Sequence, residues 1–271
     1  MDIGEFLVQG AREGILPWRV EAEAALEFGL DAHAVEAEAL GLGLRLERYA
    51  RNFNTIDQVG QRALHASRVI VVGCGGLGGH IVEELARIGV GSLVIVDSDS
   101  FEPSNLNRQI LATIASLGRP KVQVASERVA AINPATTVGA FHERFDEANA
   151  DRLLSGCAVA ADALDNIPSR LLLGRACARA GIPLVHGAIA GWYVQATTVA
   201  PGAPTLEALY AGAASDKGIE VELGNPSFTP AIAASLEVAE IVKLLLGRGA
   251  ALEGNLLHFD LGRMEAVKFP L

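Results

Sequence analysis

Cysteine is scarce in this sequence, and no two of its cysteines form a C-x-x-C pair. The 271 residues contain three cysteines, Cys74, Cys157 and Cys177. Three are too few for a disulfide framework, and without paired thiolates we expect no four-cysteine zinc site. Each cysteine lies in or beside an apolar run, where a free cysteine usually packs as a small hydrophobic side chain.

Basic residues and long apolar runs are also in short supply. The 22 lysines and arginines are outnumbered by 32 aspartates and glutamates, which gives a formal net charge of −10. Binding nucleic-acid phosphates requires a basic face, so we expect no nucleic-acid partner. No apolar run reaches the roughly 18 residues of a membrane-spanning helix, and the acidic residues 1–5 lack the basic region of a signal peptide. We therefore expect a cytoplasmic protein with no membrane partner.

Apolar residues are nevertheless plentiful along the whole chain. Hydrophobic residues make up 50% of the sequence and its mean hydropathy is +0.31. This is enough to bury an extensive core, and it excludes global disorder. The length fits one large domain or two small ones.

The N-terminal part has a composition of its own. Residues 20–47 are rich in alanine and glutamate, and Leu26, Leu30 and Val35 stand at loosely helical spacing interrupted by glycines. Such a segment predicts several short helices rather than one long helix. We therefore predict an N-terminal helical appendage of residues 1–47 on a main domain of residues 48–271.

From residue 68 onward, buried strands alternate with helices. Residues 68–72 form a β-branched run without polar alternation, which is typical of a strand buried on both faces. A glycine-rich turn and a helix follow, and then comes a second buried strand over residues 92–97. The same alternation predicts strands at residues 137–141, 158–161 and 183–185, and helices over residues 120–132 and 171–180. Parallel strands need such crossovers, so we predict an α/β fold with a doubly wound, Rossmann-like, mostly parallel sheet.

The last third departs from this alternation. We predict a strand over residues 192–199, a long mobile loop over residues 201–226 and a hydrophobic helix over residues 230–246. Residues 255–261 and 263–269 predict a hairpin. The parallel sheet is therefore expected to continue into an antiparallel C-terminal extension.

A glycine-rich turn connects the strand at residues 68–72 to its helix. Because Gly73, Gly75, Gly76 and Gly78 have no Cβ atom, the backbone can turn tightly and approach a phosphate, and the helix N-terminus adds free N–H groups. Asp97 follows about 20 residues later at the end of the next strand, where an acidic side chain can bind ribose hydroxyls. The pattern predicts a nucleotide site, and it fits an NAD enzyme about as well as an ATP enzyme.

Three charged residues beyond the strand ends favour ATP. Backbone amides bind the pyrophosphate of a dinucleotide, whereas a triphosphate under attack needs cations and a carboxylate for Mg²⁺. Arg108, Lys121 and Asp165 supply those side chains on the side where doubly wound folds bind ligands. Lys121 is predicted in the first turn of a helix, where a cation is electrostatically unfavourable, so its position favours a functional role.

Five motifs in order make the sequence similar to one enzyme family. They are R-Y-x-R at residues 48–51, G-x-G-G-L-G at 73–78, D-x-D with S-N-L-N-R-Q at 97–109, G-x-P-K at 118–121 and D-x-x-D-N at 162–166. From residue 48 to residue 243 the chain resembles the ThiF/MoeB/HesA adenylyltransferases, relatives of the ubiquitin-activating enzymes. Any one motif would be weak evidence, but five in the family order are highly specific.

The resemblance implies an ATP-dependent reaction that uses Mg²⁺. In the family, the C-terminal Gly-Gly carboxylate of a small ubiquitin-like sulfur-carrier protein attacks the α-phosphate of ATP. An acyl-adenylate forms and pyrophosphate leaves. Such carriers, similar to ThiS or MoaD, serve thiamine, molybdopterin or tungstopterin biosynthesis. The resemblance also implies a homodimer in which Arg51 reaches into the site of the other protomer.

The resemblance carries specific roles over to the matching residues. The catalytic residues would be Arg51, Arg108, Lys121 and Asp165. Nucleotide binding would involve Gly73, Gly75, Gly76, Gly78, Asp97, Asp99, Asn105, Arg108, Gln109, Lys121, Asp165 and Asn166. Among these, Asp97 would hold the ribose hydroxyls, Asn105, Arg108 and Lys121 would contact phosphates, and Asp165 would coordinate Mg²⁺.

Several of these residues also admit purely structural roles. Arg51 could pair with the acidic N-terminal helices, and Asp99 could cap a turn or face solvent. Asp165 and Asn166 could form an N-cap pair for the helix that follows, a role compatible with metal binding. His186 stands at no metal-ligand spacing from another histidine, and we predict a structural role for it.

Two features of many family members are missing. One is a set of two C-x-x-C pairs that bind structural zinc; the first would fall near residues 204–208, which contain no cysteine, and no second pair follows. Zinc is therefore not expected.

The second missing feature is the acceptor cysteine of members that form a thioester or persulfide. The matching residues 218–226 contain no cysteine. We therefore predict adenylation without a thioester, followed by transfer to a separate sulfur donor.

Other functions fit parts of the pattern. The same fold can activate a small molecule or a modified tRNA base, although the acidic net charge argues against RNA. The glycine turn and Asp97 alone would also suit an NAD-dependent oxidoreductase. A non-catalytic partner subunit is disfavoured, because Arg51, Arg108, Lys121 and Asp165 all occur in one chain.

Overall fold

A mixed β-sheet with helices on both faces forms the centre of the computed structural model, which describes residues 1–212, 216, 218–249 and 251–271. The helices are α1 (Ile3–Gly10), α2 (Trp18–Phe28), α3 (Ala32–Gly41), α4 (Gln58–His65), α5 (Gly76–Ile88), α6 (Lys121–Ile132), α7 (Ala150–Leu154), α8 (Ile167–Ala180), α9 (Thr205–Tyr210), α10 (Glu220–Leu223) and α11 (Phe228–Leu246). The strands are β1 (Ile15–Leu16), β2 (Arg45–Leu46), β3 (Arg68–Val72), β4 (Ser92–Val96), β5 (Thr137–Phe141), β6 (Val159–Asp162), β7 (Leu184–Ala190), β8 (Tyr193–Val199), β9 (Asn255–Asp260) and β10 (Glu265–Pro270).

The strand order confirms the predicted fold. Within the described residues the main sheet has the order β10-β9-β8-β7-β6-β3-β4-β5. The five strands from β7 to β5 pair in parallel, whereas β8, β9 and β10 join in antiparallel fashion. The chain runs outward from β3 in one direction and then returns to β6 on the other side. The boundary between β3 and β6 is therefore the switch point at which doubly wound sheets bind ligands.

Alternate residues of the central strand face two separate hydrophobic layers. In β3, Val69 and Val71 are buried against the layer that contains α5 and α11, whereas Ile70 and Val72 are buried against the layer that contains α7 and α8. A strand covered on both faces must be apolar at every position, and this explains the continuous β-branched run.

The N-terminal helices form a third cluster. Leu7, Leu16, Val35 and Leu46 are buried together, and β1 pairs in parallel with β2. Tyr49 belongs to this cluster, and its hydroxyl accepts a hydrogen bond of 2.8 Å from Asn133 at the end of α6. The helical appendage is thus present as predicted, while the proposed division at residue 47 stays a prediction.

Three predicted elements differ markedly in extent from the observed ones. Residues 201–226 were expected to be a mobile loop, but they contain α9 and α10; residues 213–215 and 217 of that segment lie outside the described residues. Helix α8 begins at Ile167 rather than at residue 171, because the Asn166 side chain caps it by accepting from the Ser169 N–H at 3.0 Å. Strand β7 continues to Ala190, because it pairs with all of β8.

Among the described residues, none of the helices has the length and apolar character that spanning a membrane requires.

Candidate active site

A cavity of about 470 Å³ opens at the carboxyl ends of the parallel strands. Its wall includes the last residues of β3 and β4 and the loops that follow β3, β4, β5 and β6. Both its place at the switch point and its volume are typical of a ligand site in a doubly wound fold. The glycine turn, the D-x-D segment and the D-x-x-D-N loop all contribute to it, as the sequence predicts.

The glycine turn requires glycine at two positions for steric reasons. Gly73 has φ of +101°, and a Cβ atom there would lie 2.4 Å from the carbonyl oxygen of Ala163. A Cβ atom at Gly78 would lie 1.8 Å from the carbonyl oxygen of Gly73. Gly78 therefore lets α5 pack against the turn, whereas Gly73, Gly75 and Gly76 line the cavity.

Asp97 joins the end of β4 to the glycine turn. One of its carboxylate oxygens accepts from the Cys74 N–H at 2.6 Å, and the other accepts from the Asp99 N–H at 2.7 Å. Burial raises the pKa of this carboxyl above its ordinary value, although the two N–H donors and the nearby Lys121 act in the opposite direction. The side chain lines the cavity and orders both loops beside it.

Two of the predicted phosphate ligands line the cavity as cations. Lys121 is the first residue of α6; its side chain is buried, and its Nζ lies 3.0 Å from a carboxylate oxygen of Asp99. Arg108 is half-buried and donates to the Ser104 carbonyl at 3.2 Å and to the Asn107 side chain at 2.9 Å. Both predicted cations thus reach one cavity from separate segments of the chain.

The D-x-x-D-N loop brings a carboxylate to the same cavity. Asp165 is exposed and lines the cavity, and one of its oxygens accepts from the Asn166 side chain at 3.2 Å. Asn166 also caps α8, so it fixes the position of its neighbour. Mg²⁺ in proteins is usually bound by one or two carboxylates together with substrate phosphates. The exposed Asp165 carboxylate fits that requirement.

Two buried acceptors in the cavity wall have no donor among the described residues. They are Oε1 of Gln109 and Oδ1 of Asn225. A buried carbonyl oxygen without a hydrogen bond is costly, and it points to a donor supplied from elsewhere. These two oxygens indicate that the cavity is shaped to receive a ligand with N–H or O–H groups.

Three predicted site residues do not line the cavity. Gly78 lies behind the turn, and Asn105 is buried nearby with its side-chain oxygen accepting from the Glu102 N–H at 3.0 Å. Arg51 is exposed in the turn before α4, and it forms no ion pair within the described part of the chain. The alternative in which Arg51 pairs with the acidic N-terminal helices therefore has no contact to support it.

Comparison with known proteins assigns the family. The model of the ThiF family matches residues 49–271, which is most of the chain. This protein belongs to the ThiF family. The sequence is 40% identical over 221 residues to the SAMP-activating enzyme E1 of Haloferax volcanii, covering 80% of this chain and 82% of that protein. It is 37% identical over 226 residues to the sulfur carrier protein adenylyltransferase of Thermus thermophilus, covering 79% of this chain and 83% of that protein.

The enzyme class and the fold agree with this membership. Another relative, the molybdopterin-synthase adenylyltransferase of Salmonella typhimurium, is 34% identical over 206 residues, covering 75% of this chain and 83% of that protein. The predicted class, an adenylyltransferase of the ThiF family, is thereby confirmed. Among solved structures, Escherichia coli MccB with ATP has a similar fold, with a TM-score of 0.69 at 19% identity, covering 83% of this chain and 71% of that chain.

Some cavity residues of this ThiF-family protein were not predicted from its sequence. Glu143, Arg144 and Phe145 follow β5 and line the cavity. The rule that ligands bind at carboxyl strand ends could have found them. Arg170, within α8, and Glu220, within α10, also line the cavity. No pattern in the sequence marks them, because only the packing of the helices brings them there.

Proposed function

We propose that this protein adenylates the C-terminal carboxylate of a small ubiquitin-like sulfur-carrier protein that ends in Gly-Gly. A carboxylate oxygen of the carrier attacks the α-phosphorus of ATP, a new P–O bond forms, and the bond from that phosphorus to the bridging oxygen of the β-phosphate breaks. The products are the acyl-adenylate and pyrophosphate, which leaves with the electron pair of the broken bond. The reaction needs no covalent protein intermediate.

One observation carries the proposal: a single cavity joins a glycine turn to two cations and an exposed carboxylate. Gly75 and Gly76 lie where the glycine turn meets the start of α5. Arg108, Lys121 and Asp165 line the same cavity as these two glycines. A dinucleotide bound through backbone amides has little need for this charge set, so the arrangement favours a triphosphate over NAD.

The chain's own residues supply position and charge at the phosphorus atom. Arg108 and Lys121 are suited to balance the charge that develops on the phosphate oxygens and on departing pyrophosphate. Asp165 would hold Mg²⁺, and a bound Mg²⁺ ion neutralises phosphate charge. Asp97 would accept from ribose hydroxyls, while its bonds to the Cys74 and Asp99 N–H groups order the glycine turn. The acceptors of Gln109 and Asn225 could receive N–H groups of the carrier tail.

The choice of a carrier protein as substrate rests on the relatives. Their names refer to SAMP activation, sulfur-carrier adenylation and molybdopterin-synthase adenylation. By extension, we propose a carrier similar to ThiS or MoaD for this chain, with thiamine, molybdopterin or tungstopterin biosynthesis as the pathway.

The state of the cysteines supports a separate sulfur donor. Cys74, Cys157 and Cys177 are all buried. Burial, as the largest cause, raises the pKa of each thiol: well above its ordinary value for Cys74 and to about 12 for Cys177. A thiolate is the nucleophile in thioester formation, so these thiols are poor acceptors. We therefore propose that the acyl-adenylate reacts with a sulfur donor outside this chain, and that zinc has no part in the fold.

The active form is proposed to be a homodimer. Arg51 is exposed and does not line the cavity of its own chain, yet it matches the family arginine that acts in the other protomer. A cation supplied from the second protomer would complete the charge set around the phosphates.

ATP–pyrophosphate exchange tests the function directly. Purified protein, ATP, Mg²⁺ and labelled pyrophosphate are combined with and without candidate carriers that end in Gly-Gly. Label should enter ATP only when a carrier with an intact Gly-Gly terminus is present, and a carrier lacking its last glycine is the matched control. Exchange with a small molecule in place of the carrier would support the alternative substrate class, and NAD binding without ATP binding would reject adenylation.

A non-reducing gel tests the absence of a thioester. The complete reaction is stopped without reductant and run beside a sample treated with a thiol. No enzyme–carrier adduct should appear in either lane. A covalent adduct that the thiol releases would contradict the proposed transfer to a separate donor.

A further inference from the structure

Beside the cavity, five groups close a ring of hydrogen bonds that the reaction proposed above does not use. Asp162, at the end of β6, accepts from Nδ1 of His186 at 2.7 Å and from the Leu164 N–H at 3.0 Å. The Leu164 carbonyl accepts from Arg170 at 2.7 Å and 3.2 Å. Arg170 also donates to the Tyr210 hydroxyl, which lies 3.0 Å from Nε2 of His186. The ring thus returns to its starting residue.

With a neutral His186, the donors and acceptors of this ring allow one arrangement of protons. Arginine can only donate, so the Tyr210 oxygen must accept from Arg170. In a neutral imidazole, the nitrogen that faces the Asp162 carboxylate carries the proton, so Nε2 of His186 is unprotonated and accepts from the single hydroxyl proton of Tyr210. The imidazole proton therefore lies on Nδ1 and points at Asp162. Burial lowers the pKa of His186, against the pull of Asp162, and this agrees with a neutral imidazole.

The ring holds the backbone that carries the candidate metal ligand. Leu164 takes part through both its N–H and its carbonyl, and the next residue is Asp165. Asp162 and His186 are completely buried, so their bonds form away from water, where an unpaired polar group would be costly. The peptide before Asp165 is therefore fixed from two sides.

Tyr210 is the one member of the ring from outside the D-x-x-D-N loop, α8 and β7. It ends α9, in the segment between β8 and α11. The same segment also contacts the first residue of α8, directly after the loop, where the Ile167 N–H donates to the Asp216 carbonyl at 2.8 Å. The segment after β8 is thereby tied to the metal-binding edge of the cavity.

We propose that Tyr210, acting through Arg170 and His186, is a positioning residue that sets the place of Asp165 and so the affinity of the site for magnesium-bound ATP. The proposal rests on the proposed function, because it takes Asp165 as the Mg²⁺ ligand. Tyr210 touches neither the nucleotide nor the metal in this scheme. Its hydroxyl acts by completing the ring.

The test compares Tyr210→Phe with the wild-type protein in ATP binding, measured by calorimetry in Mg²⁺ and again in excess EDTA. The substitution removes one oxygen and leaves Arg170 and His186 each short of a partner. We expect the dissociation constant in Mg²⁺ to rise about tenfold, because hydrogen bonds to charged groups are lost. The constant in EDTA should stay within about twofold, since the glycine turn and Asp97 are untouched. Tyr193→Phe, at an exposed ring stacked on His258, is the matched control.

The outcomes separate the inference from the function. An equal dissociation constant for Tyr210→Phe and wild type in Mg²⁺ would overturn the inference and leave the proposed function standing. Equal weakening in Mg²⁺ and in EDTA would also overturn it, because a general structural role would act in both media. A wild-type protein that does not bind ATP in Mg²⁺ would overturn the function and the inference with it.

A measurement on the wild-type protein tests the ring if Tyr210→Phe does not fold. Long-range ¹H–¹⁵N spectra of the histidine side chains report which ring nitrogen carries the proton, and a His186→Gln variant assigns the signal. The ring requires the proton of His186 on Nδ1 and none on Nε2. A proton on Nε2 would overturn the inference, because Tyr210 could then not donate to His186.

Discussion

The ammonium nitrogen of Lys121 lies 3.0 Å from a carboxylate oxygen of Asp99 at the edge of the cavity. The Lys121 side chain is 7% exposed, whereas that of Asp99 is 66% exposed. The Lys121 N–H also donates to the Asp99 carbonyl at 2.9 Å, so the two segments are joined twice. A buried ammonium needs a counter-charge, and the Asp99 carboxylate supplies it. The Lys121 side chain remains part of the cavity wall in this arrangement.

This pair predicts unequal effects of two substitutions. Lys121→Met should lower ATP–pyrophosphate exchange by about 100- to 1,000-fold, because it removes a charge that stabilises the transition state. Asp99→Asn should lower it by less than about tenfold, because Lys121 keeps its place through the backbone bond. Lys268→Met, at an exposed position of β10, is the control. If Asp99→Asn lowered the exchange rate as much as Lys121→Met does, the larger role given to Lys121 would be contradicted.

Mixing two inactive variants tests whether Arg51 acts in the other protomer. Arg51→Ala and Asp165→Ala should each abolish exchange alone. After denaturation and joint refolding at equal amounts, half of the dimers are mixed, and each mixed dimer has one complete site, so activity should return to about a quarter of wild type. The two variants refolded separately and then combined are the control. If no activity returns on joint refolding, Arg51 acts within its own chain or not at all.

Gly78 should be essential for folding rather than for nucleotide contact. Gly78→Ala would place a Cβ atom 1.8 Å from the Gly73 carbonyl oxygen, and only a backbone shift could relieve that clash. We expect the free energy of unfolding to fall by about 3 kcal/mol, at the upper end of the range that is typical of overpacking. Gly41→Ala, at the end of α3, meets no atom within 4 Å and should be neutral or stabilising. Urea unfolding measures both; an unchanged midpoint for Gly78→Ala would refute the packing argument.

The appendage contains a carboxyl whose protonation should affect stability. Arg48 lies 3.1 Å from both Glu21 and Glu36, so two carboxyls share one guanidinium, and one oxygen of Glu21 has no partner among the described residues. Burial, opposed by Arg48 and reinforced by Glu36 and Glu47, raises the pKa of Glu21 from 4.5 to about 8.

This shift gives stability a defined pH dependence. Between pH 4.5 and about 8 the folded protein holds a proton on Glu21 that the unfolded chain has lost, so stability decreases as the pH rises through this range. The slope from this one group is at most about 1.4 kcal/mol per pH unit. Glu21→Gln should remove that slope, and Glu23→Gln, at an exposed position of α2 whose side chain lies outside this cluster, is the control. Equal slopes for Glu21→Gln and wild type in urea titrations at several pH values would count against a protonated Glu21.

Local patterns carried most of the sequence-based predictions. The β-branched run of β3 identified a strand covered on both faces, and the glycine turn with Asp97 identified a nucleotide site. Both depend on neighbours in sequence, because side-chain alternation and tight turns are short-range properties. The expected loop after β8 was wrong in part, since the segment contains the short helices α9 and α10, and Tyr210 at the end of α9 is held by the distant Arg170.

The sequence by itself determined the sheet type, the glycine turn and the family motifs, because each depends on residues that are a few positions apart. Only the tertiary structure decided which side chains meet. It brought Lys121 to Asp99, took Gly78 out of the cavity wall, and closed the ring that links Tyr210 to Asp162 through His186. The contacts of Lys121 with Asp99 and of His186 with Asp162 and Tyr210 join residues more than 20 positions apart. Their donors and acceptors become partners only when helices and strands pack and exclude water.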